Sequence, residues 1–111
     1  MAATFELYTD KAGEFRFRLK GGDGKILLVS EGYKAKASAS NGIESVRKNA
    51  AEDARYERKE TASGKLMFNL KSSNGQVVGT SEQFADQAAL DAGVAAVKSG
   101  APGAALDDQT A

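Results

Sequence analysis

The sequence predicts an α+β fold. Two tandem β-β-β-α repeats share one antiparallel sheet of about six strands, with two helices packed on one face and a pseudo-twofold axis between the halves. Three observations predict it. First, sliding the 111-residue chain against itself by 51 positions lays residues 5–50 on 56–101 without a gap, and about a dozen of the 46 paired positions are identical. Among them are Gly13 with Gly64, Phe17 with Phe68, Gly24 with Gly75, Ser30-Glu31 with Ser81-Glu82, and Gly42 with Gly93. Self-similarity at a fixed period is the mark of tandem duplication. Second, each copy opens on apolar residues of period two, the pattern of a half-buried strand. Third, each copy closes on apolar residues spaced by three and four, the pattern of an amphipathic helix.

In chain order, a first short strand is expected from Phe5 to Thr9, with its counterpart from Tyr56 to Lys59. Gly13 and Gly64 punctuate the turns that follow. Phe15, Phe17 and Leu19 then alternate with Arg16, Arg18 and Lys20, and Leu66, Phe68 and Leu70 alternate with Met67, Asn69 and Lys71. Asp23-Gly24 and Asn74-Gly75 are hairpin turn signals leading into the β-rich runs "KILLVS" and "QVVGTS". Helices follow on Ala39, Ile43, Val46 and Ala50, and on Leu90, Val94 and Val97. Asp86 stands where an N-cap should, whereas its counterpart Ala35 has no side chain to cap with. Glycine inside a helix costs about 1 kcal/mol against alanine. Gly42 and Gly93, at matching helical positions, therefore suggest close approach to another backbone, with inherited tolerance as the plainer alternative. One repeat alone makes a thin core, so the two are expected to join edge to edge as a monomeric pseudo-dimer. The domain is read over residues 1–101, with repeat one at 5–50 and repeat two at 56–101. The stretch "PGAALDDQTA", with the only proline and no periodicity, reads as a flexible tail over 102–111.

Composition narrows the function. Fifteen basic residues balance fifteen acidic ones, which does not favour a polyanion binder. There is no cysteine and no histidine. That removes thiolate chemistry, the commonest general base and the usual zinc ligands. No apolar run is long enough to span a membrane and "MAATFELYTDK" has no signal-peptide core, so a cytoplasmic location is expected. No catalytic residue, metal site or cofactor is expected.

The runs "SEGYKAKASASNGIESVRKNA" and "NLKSSNGQVVGTSEQF" resemble the YegP-like family over nearly the whole chain, from about Phe5 to Ala101. The shared features are an N-G-x-x-x-G-x-S run after a strand and "NGIESVRKNA" on a helix. These are small bacterial and archaeal proteins with a domain of unknown function. The resemblance implies single or tandem β-β-β-α units sharing one sheet, single units doing so by dimerising. It implies no activity, cofactor or partner. Two places depart from the pattern: Lys34 and Ala35 precede the first helix, and the second helix reads "DAGVAAVKSGA". Work done by Asn41, Glu44 and Asn49 is therefore open only to the first copy.

Four candidate sites follow. The cluster "GGDGK" has neither the spacing nor the following helix of a phosphate loop. Its duplicate keeps only the second-turn glycine, as Gly75, so it reads as a hairpin tip. Tyr8 and the cations Arg16, Arg18 and Lys20 share a sheet face that suits single-stranded nucleic acid, although a solvated far face needs charges too. Glu31 and Glu82 are a carboxylate pair that could face across the pseudo-twofold as acid and base or as ligands of a hard cation. Ser30-Glu31 and Ser81-Glu82, kept in both copies, serve equally well to close the strand. The expected function is a non-enzymatic binding or structural module presenting its open sheet face or an edge strand. Weak single-stranded nucleic-acid binding is the alternative, and a carboxylate-based enzyme ranks below it. No partner is expected by name.

Overall fold

A computed structural model describes residues 3–110. Met1, Ala2 and Ala111, the first two of them within the domain expected over 1–101, lie outside the described residues. The strands are β1 (Thr4–Thr9), β2 (Phe15–Lys20), β3 (Ile26–Val29), β4 (Tyr56–Glu60), β5 (Leu66–Lys71), β6 (Val77–Thr80) and β7 (Ala105–Asp108). The helices are α1 (Lys36–Asn49) and α2 (Gln87–Gly100). All seven strands form one sheet in the order β4-β5-β6-β3-β2-β1-β7.

Each meander forms for local reasons. Gly13, Gly24, Gly64 and Gly75 adopt φ between 81° and 85°, a conformation that favours glycine. The hairpin after Gly21 is closed by the Gly21 amide on the Lys25 carbonyl at 2.9 Å. "GGDGK" is thus a hairpin tip, as is its copy. Both hairpins carry one extra residue: the register jumps between Leu19 and Lys20 and again between Leu70 and Lys71. These bulges release Leu27 and Val78 from the ladder at matching positions. On the helices, the Asp86 carboxylate accepts from the Ala89 amide at 2.8 Å, while Ala35 makes no side-chain cap.

The core lies between the helices and one sheet face. Phe5, Leu7, Phe17, Leu19, Phe68, Leu70, Ile43, Val46, Leu90 and Val97 are all essentially inaccessible, each worth roughly 1.5–3 kcal/mol of burial. The aromatic packing is itself duplicated. Phe5 meets Phe17 edge-on at 6.0 Å and Tyr56 meets Phe68 edge-on at 5.5 Å. Tyr33 stacks on Phe17 at 6.4 Å and Phe84 on Phe68 at 6.2 Å. This packing explains the helical glycines differently from expectation. A Cβ at Gly42 would lie 2.8 Å from the Phe17 ring and 2.9 Å from the Tyr33 hydroxyl, and one at Gly93 would lie 2.6 Å from the Phe84 ring. What approaches is an aromatic side chain of the same repeat, not another backbone.

The halves meet at β3 and β6 through the single pair Val29 and Thr80. These residues are 51 apart, so each is the other's counterpart and the pseudo-twofold passes between them. Leu28 and Gly79 are also counterparts. A Cβ on Gly79 would sit 3.2 Å from Leu28, so a large residue in one copy is met by a small one in the other.

The α+β sheet of two tandem repeats under two helices is as expected, and it gains a seventh strand that adds one parallel pair. The flexible tail expected over 102–111 is corrected by this strand, since Ala105–Asp108 lies in the sheet. Ala101–Gly103 forms a 3-10 turn, and β7 then pairs in parallel with β1, Thr4 beside Ala105 through Leu7 beside Asp108. All four β7 side chains are exposed. No apolar burial recruits the strand, so it carries no hydrophobic pattern to read. Reciprocal clamps hold the connectors. Arg47 of α1 lies over the Phe5 ring and donates to the Ala104 carbonyl at 2.6 Å. Lys98 of α2 lies over the Tyr56 ring and reaches the Asp53 carboxylate at 2.7 Å. Ala104 and Asp53 are again 51 positions apart.

Candidate functional site

Alternation along β1 and β2 puts Glu6, Tyr8, Arg16, Arg18 and Lys20 on the sheet face away from the helices. The register β1 to β2 then sets Glu6 opposite Arg18 and Tyr8 opposite Arg16. The cations are consequently engaged. Arg18 Nε lies 2.6 Å from Glu6, Lys20 lies 3.4 Å from the same carboxylate, and Arg16 Nε lies 2.6 Å from Asp10. The Arg18 guanidinium also lies over the Tyr8 ring at 4.8 Å, so the aromatic expected to stack with a base already carries a cation. The hydrogen bond from Arg18 holds the Glu6 carboxyl below its usual range, and that from Arg16 does the same for Asp10. On the second copy, Lys71 bonds to Glu57 at 3.1 Å and lowers it likewise. The open face is a lattice of cross-strand pairs.

The duplicated serines are internal. Ser30 Oγ accepts from the buried Phe17 amide at 2.9 Å and donates to the Glu31 carbonyl at 2.8 Å. Ser81 Oγ accepts from the Phe68 amide at 2.9 Å and donates to the Glu82 carbonyl at 2.7 Å. The reason is the register. Arg18 pairs with Val29, but Phe15 pairs with Tyr33 rather than with Gly32. The extra residue turns a backbone carbonyl away from Phe17, and the serine hydroxyl replaces it. Glu31 and Glu82 do not converge. Each lies two residues past the Val29–Thr80 pair on antiparallel strands, which separates them by roughly 13 Å along the strands. Glu31 borders a cleft with Val77 and Thr80, and Glu82 borders a different one with Phe84 and Ala92. Among the described residues no three acidic side chains gather to hold a metal, and no helix is long and apolar enough to cross a membrane.

The two edges of the sheet differ. The outer edge of β1 is occupied by β7: the Ala105 amide bonds to the Ala3 carbonyl at 3.1 Å and the Gln109 amide to the Leu7 carbonyl at 2.7 Å. The outer edge of β4, its counterpart, has no neighbour among the described residues. Since Ala3 and Leu7 turn their backbone outward on β1, Tyr56 and Arg58 do so on β4. Sequence reasoning named an edge strand in general but missed β7 and therefore which edge stays open. The only signal was the 51-residue offset carried past Ala101, which lays Leu106-Asp107 on Arg55-Tyr56.

Comparison with known proteins also gives two tandem units, with bounds shifted from those of the sequence repeat. The family described as Domain of unknown function (DUF1508) matches residues 10–57 and again 62–108, so β7 falls inside the second match. A UPF0339 protein encoded in the ptx operon 5' region of Stutzerimonas stutzeri is 59% identical over 104 residues, 94% of each chain. UPF0339 protein YegP of Escherichia coli K12 is 42% identical over 110 residues, 99% of this chain and 100% of that one. Among solved structures, the solution structure of yegP from E. coli superposes with TM-score 0.94 at 42% identity, covering 99% of this chain and 95% of that one. That of a UPF0339 protein from Shewanella oneidensis does so with TM-score 0.93 at 38% identity, covering 99% and 93%.

Proposed function

The chain belongs to the UPF0339/YegP family of tandem DUF1508 domains, and from that premise we propose that it is a non-enzymatic, cytoplasmic binding module that takes up an extended segment of a partner protein along the outer edge of β4. One observation carries this reading: of two counterpart edges, one holds a strand in parallel and the other is bare among the described residues. The bareness has a cause in the chain. The residues 51 positions before β7 are Ala54 to Glu57, of which Ala54 and Arg55 lie in a 3-10 turn and Tyr56 and Glu57 in β4 itself. None of these four is left over to cover the edge.

Strand addition needs unpaired amides and carbonyls plus side-chain selection. β7 on β1 illustrates the geometry that β4 would offer. Transposed by the pseudo-twofold, an acidic residue at the place of Asp108 falls opposite Arg58, which now reaches only the exposed Asp53 carboxylate at 3.2 Å. A short, acidic, extended segment is thus the fitting occupant. The alternative, single-stranded nucleic acid on the open face, would have to displace the carboxylates that already hold Arg16, Arg18 and Lys20.

The test is titration of the 15N-labelled chain with a synthetic peptide of residues 101–110. Shifts are expected at Tyr56–Glu60. Arg58→Pro removes an outward amide without touching the β4–β5 ladder, a change an edge strand tolerates, and should abolish the response. Arg58→Ala should weaken it only. Absence of any β4 shift at millimolar peptide overturns the reading.

A further inference from the structure

Two counterpart grooves flank the seam on the helix side, each between one repeat's helix and the other repeat's hairpin. The first lies between α1 and the β5–β6 hairpin. Its two adjoining cavities, of about 270 and 300 Å³, share Asn41, Ser45, Ser72 and Asn74. The second lies between α2 and the β2–β3 hairpin, with cavities of about 370 and 360 Å³. The 51-residue offset maps one lining onto the other. Tyr33, Ser38 and Ser45 of the first stand where the second has Phe84, Ala89 and Ala96. Each of these pairs differs by a single oxygen atom. Asn41 likewise stands where the second groove has Ala92. One backbone shape thus occurs twice in the molecule, and at these four positions it carries hydrogen-bonding groups in the first groove and apolar ones in the second, whose polar groups Asp23, Lys25, Glu82 and Ser99 stand elsewhere in its lining.

The geometry points to the first groove as a binding site for a neutral, polyhydroxylated ligand, a saccharide of one or two rings. Hydroxyls and carboxamides both donate and accept, which matches a ligand whose every group does the same. Among the described residues the side chains of Ser38, Asn41 and Gln76 and the hydroxyl of Tyr33 have no hydrogen-bond partner, so they are available to a ligand. The floor is already ordered. Asn49, only 7% exposed, donates to the Ser45 carbonyl at 2.8 Å and to Ser45 Oγ at 3.2 Å, and Arg55 bonds to its carbonyl oxygen at 3.1 Å. Tyr33 is fixed by its stacking on Phe17 and offers an apolar surface to the C–H groups of a sugar ring. The one acid and one base at the outer end, Glu44 and Lys48, cancel, so the groove does not select for an ion. The joined cavities reach the size range of small-molecule sites, roughly 300–1,000 Å³.

The pseudo-symmetry supplies the control. The variant Tyr33→Phe, Ser38→Ala, Asn41→Ala, Ser45→Ala gives the Tyr33 and α1 side of the first groove the residues that the second has at the same places. The 15N-labelled protein is titrated with D-glucose, N-acetyl-D-glucosamine, maltose and trehalose. At least one sugar is expected to shift amides within residues 38–45 and 72–76, and the fourfold variant should bind it about tenfold more weakly or worse. No shift in those segments with any of the four sugars at tens of millimolar overturns the inference. So do shifts that persist undiminished in the variant.

Discussion

At the scale of single residues, duplication singles out Ser30 and Ser81, and the structure gives them one task. Each hydroxyl substitutes for a carbonyl that the strand's extra residue has turned away. Ser30→Ala leaves the buried Phe17 amide without an acceptor and is expected to cost about 1–3 kcal/mol, and Ser81→Ala the same through Phe68. Glu31→Ala, next in the chain but exposed, should leave stability nearly unchanged. Denaturant unfolding of the three variants checks this; equal stability of Ser30→Ala and the parent would remove the assigned role. The sequence marked the Ser-Glu pairs but could not divide them, because the division depends on a register shift seen only across strands. The same limit hid the pairing of the open face. Arg18 and Glu6 are 12 residues apart, and only the β1–β2 register makes them neighbours. Gly24 and Gly75 were readable for the opposite reason, since a turn with positive φ is a local demand.

At the scale of elements, strands and helices with a buried face were legible from apolar period, and β7 was not, because it buries no side chain. Its attachment rests on backbone bonds, the Arg47 clamp at Ala104 and the ion pair of Asp108 with Lys36 at 2.6 Å. The hydrogen bond from Lys36, helped by Thr110, lowers Asp108 from 3.8 to about 2. A carboxyl with a depressed pKa favours the docked strand fully above its ordinary value and loses that contribution as pH falls through the lowered one. The end of β7 should therefore loosen between about pH 4 and pH 2. Amide resonances of Leu7 and Gln109 followed against pH should report it. In Asp108→Asn that acid-dependent step should be absent; an identical transition in the variant would assign it to another group.

At the scale of the whole molecule, two halves built on one backbone plan differ in ways that matter. Leu28 meets Gly79 at the axis, Tyr33 and its polar neighbours are answered by Phe84 and alanines, and β1 has β7 where β4 has no neighbour among the described residues. The duplication could be read from sequence, yet the consequences of breaking it could not, since each requires the halves to be placed against each other. The central claim is that the bare β4 edge is the place where a partner strand joins. Amide hydrogen exchange tests it most directly. In the free protein Phe5 and Leu7, covered by β7, should exchange slowly, and their counterparts Tyr56 and Arg58 quickly. With the peptide of residues 101–110 at saturation, Tyr56 and Arg58 should become slow as well. Tyr56 and Arg58 amides that stay as fast with the peptide as without it would contradict the account.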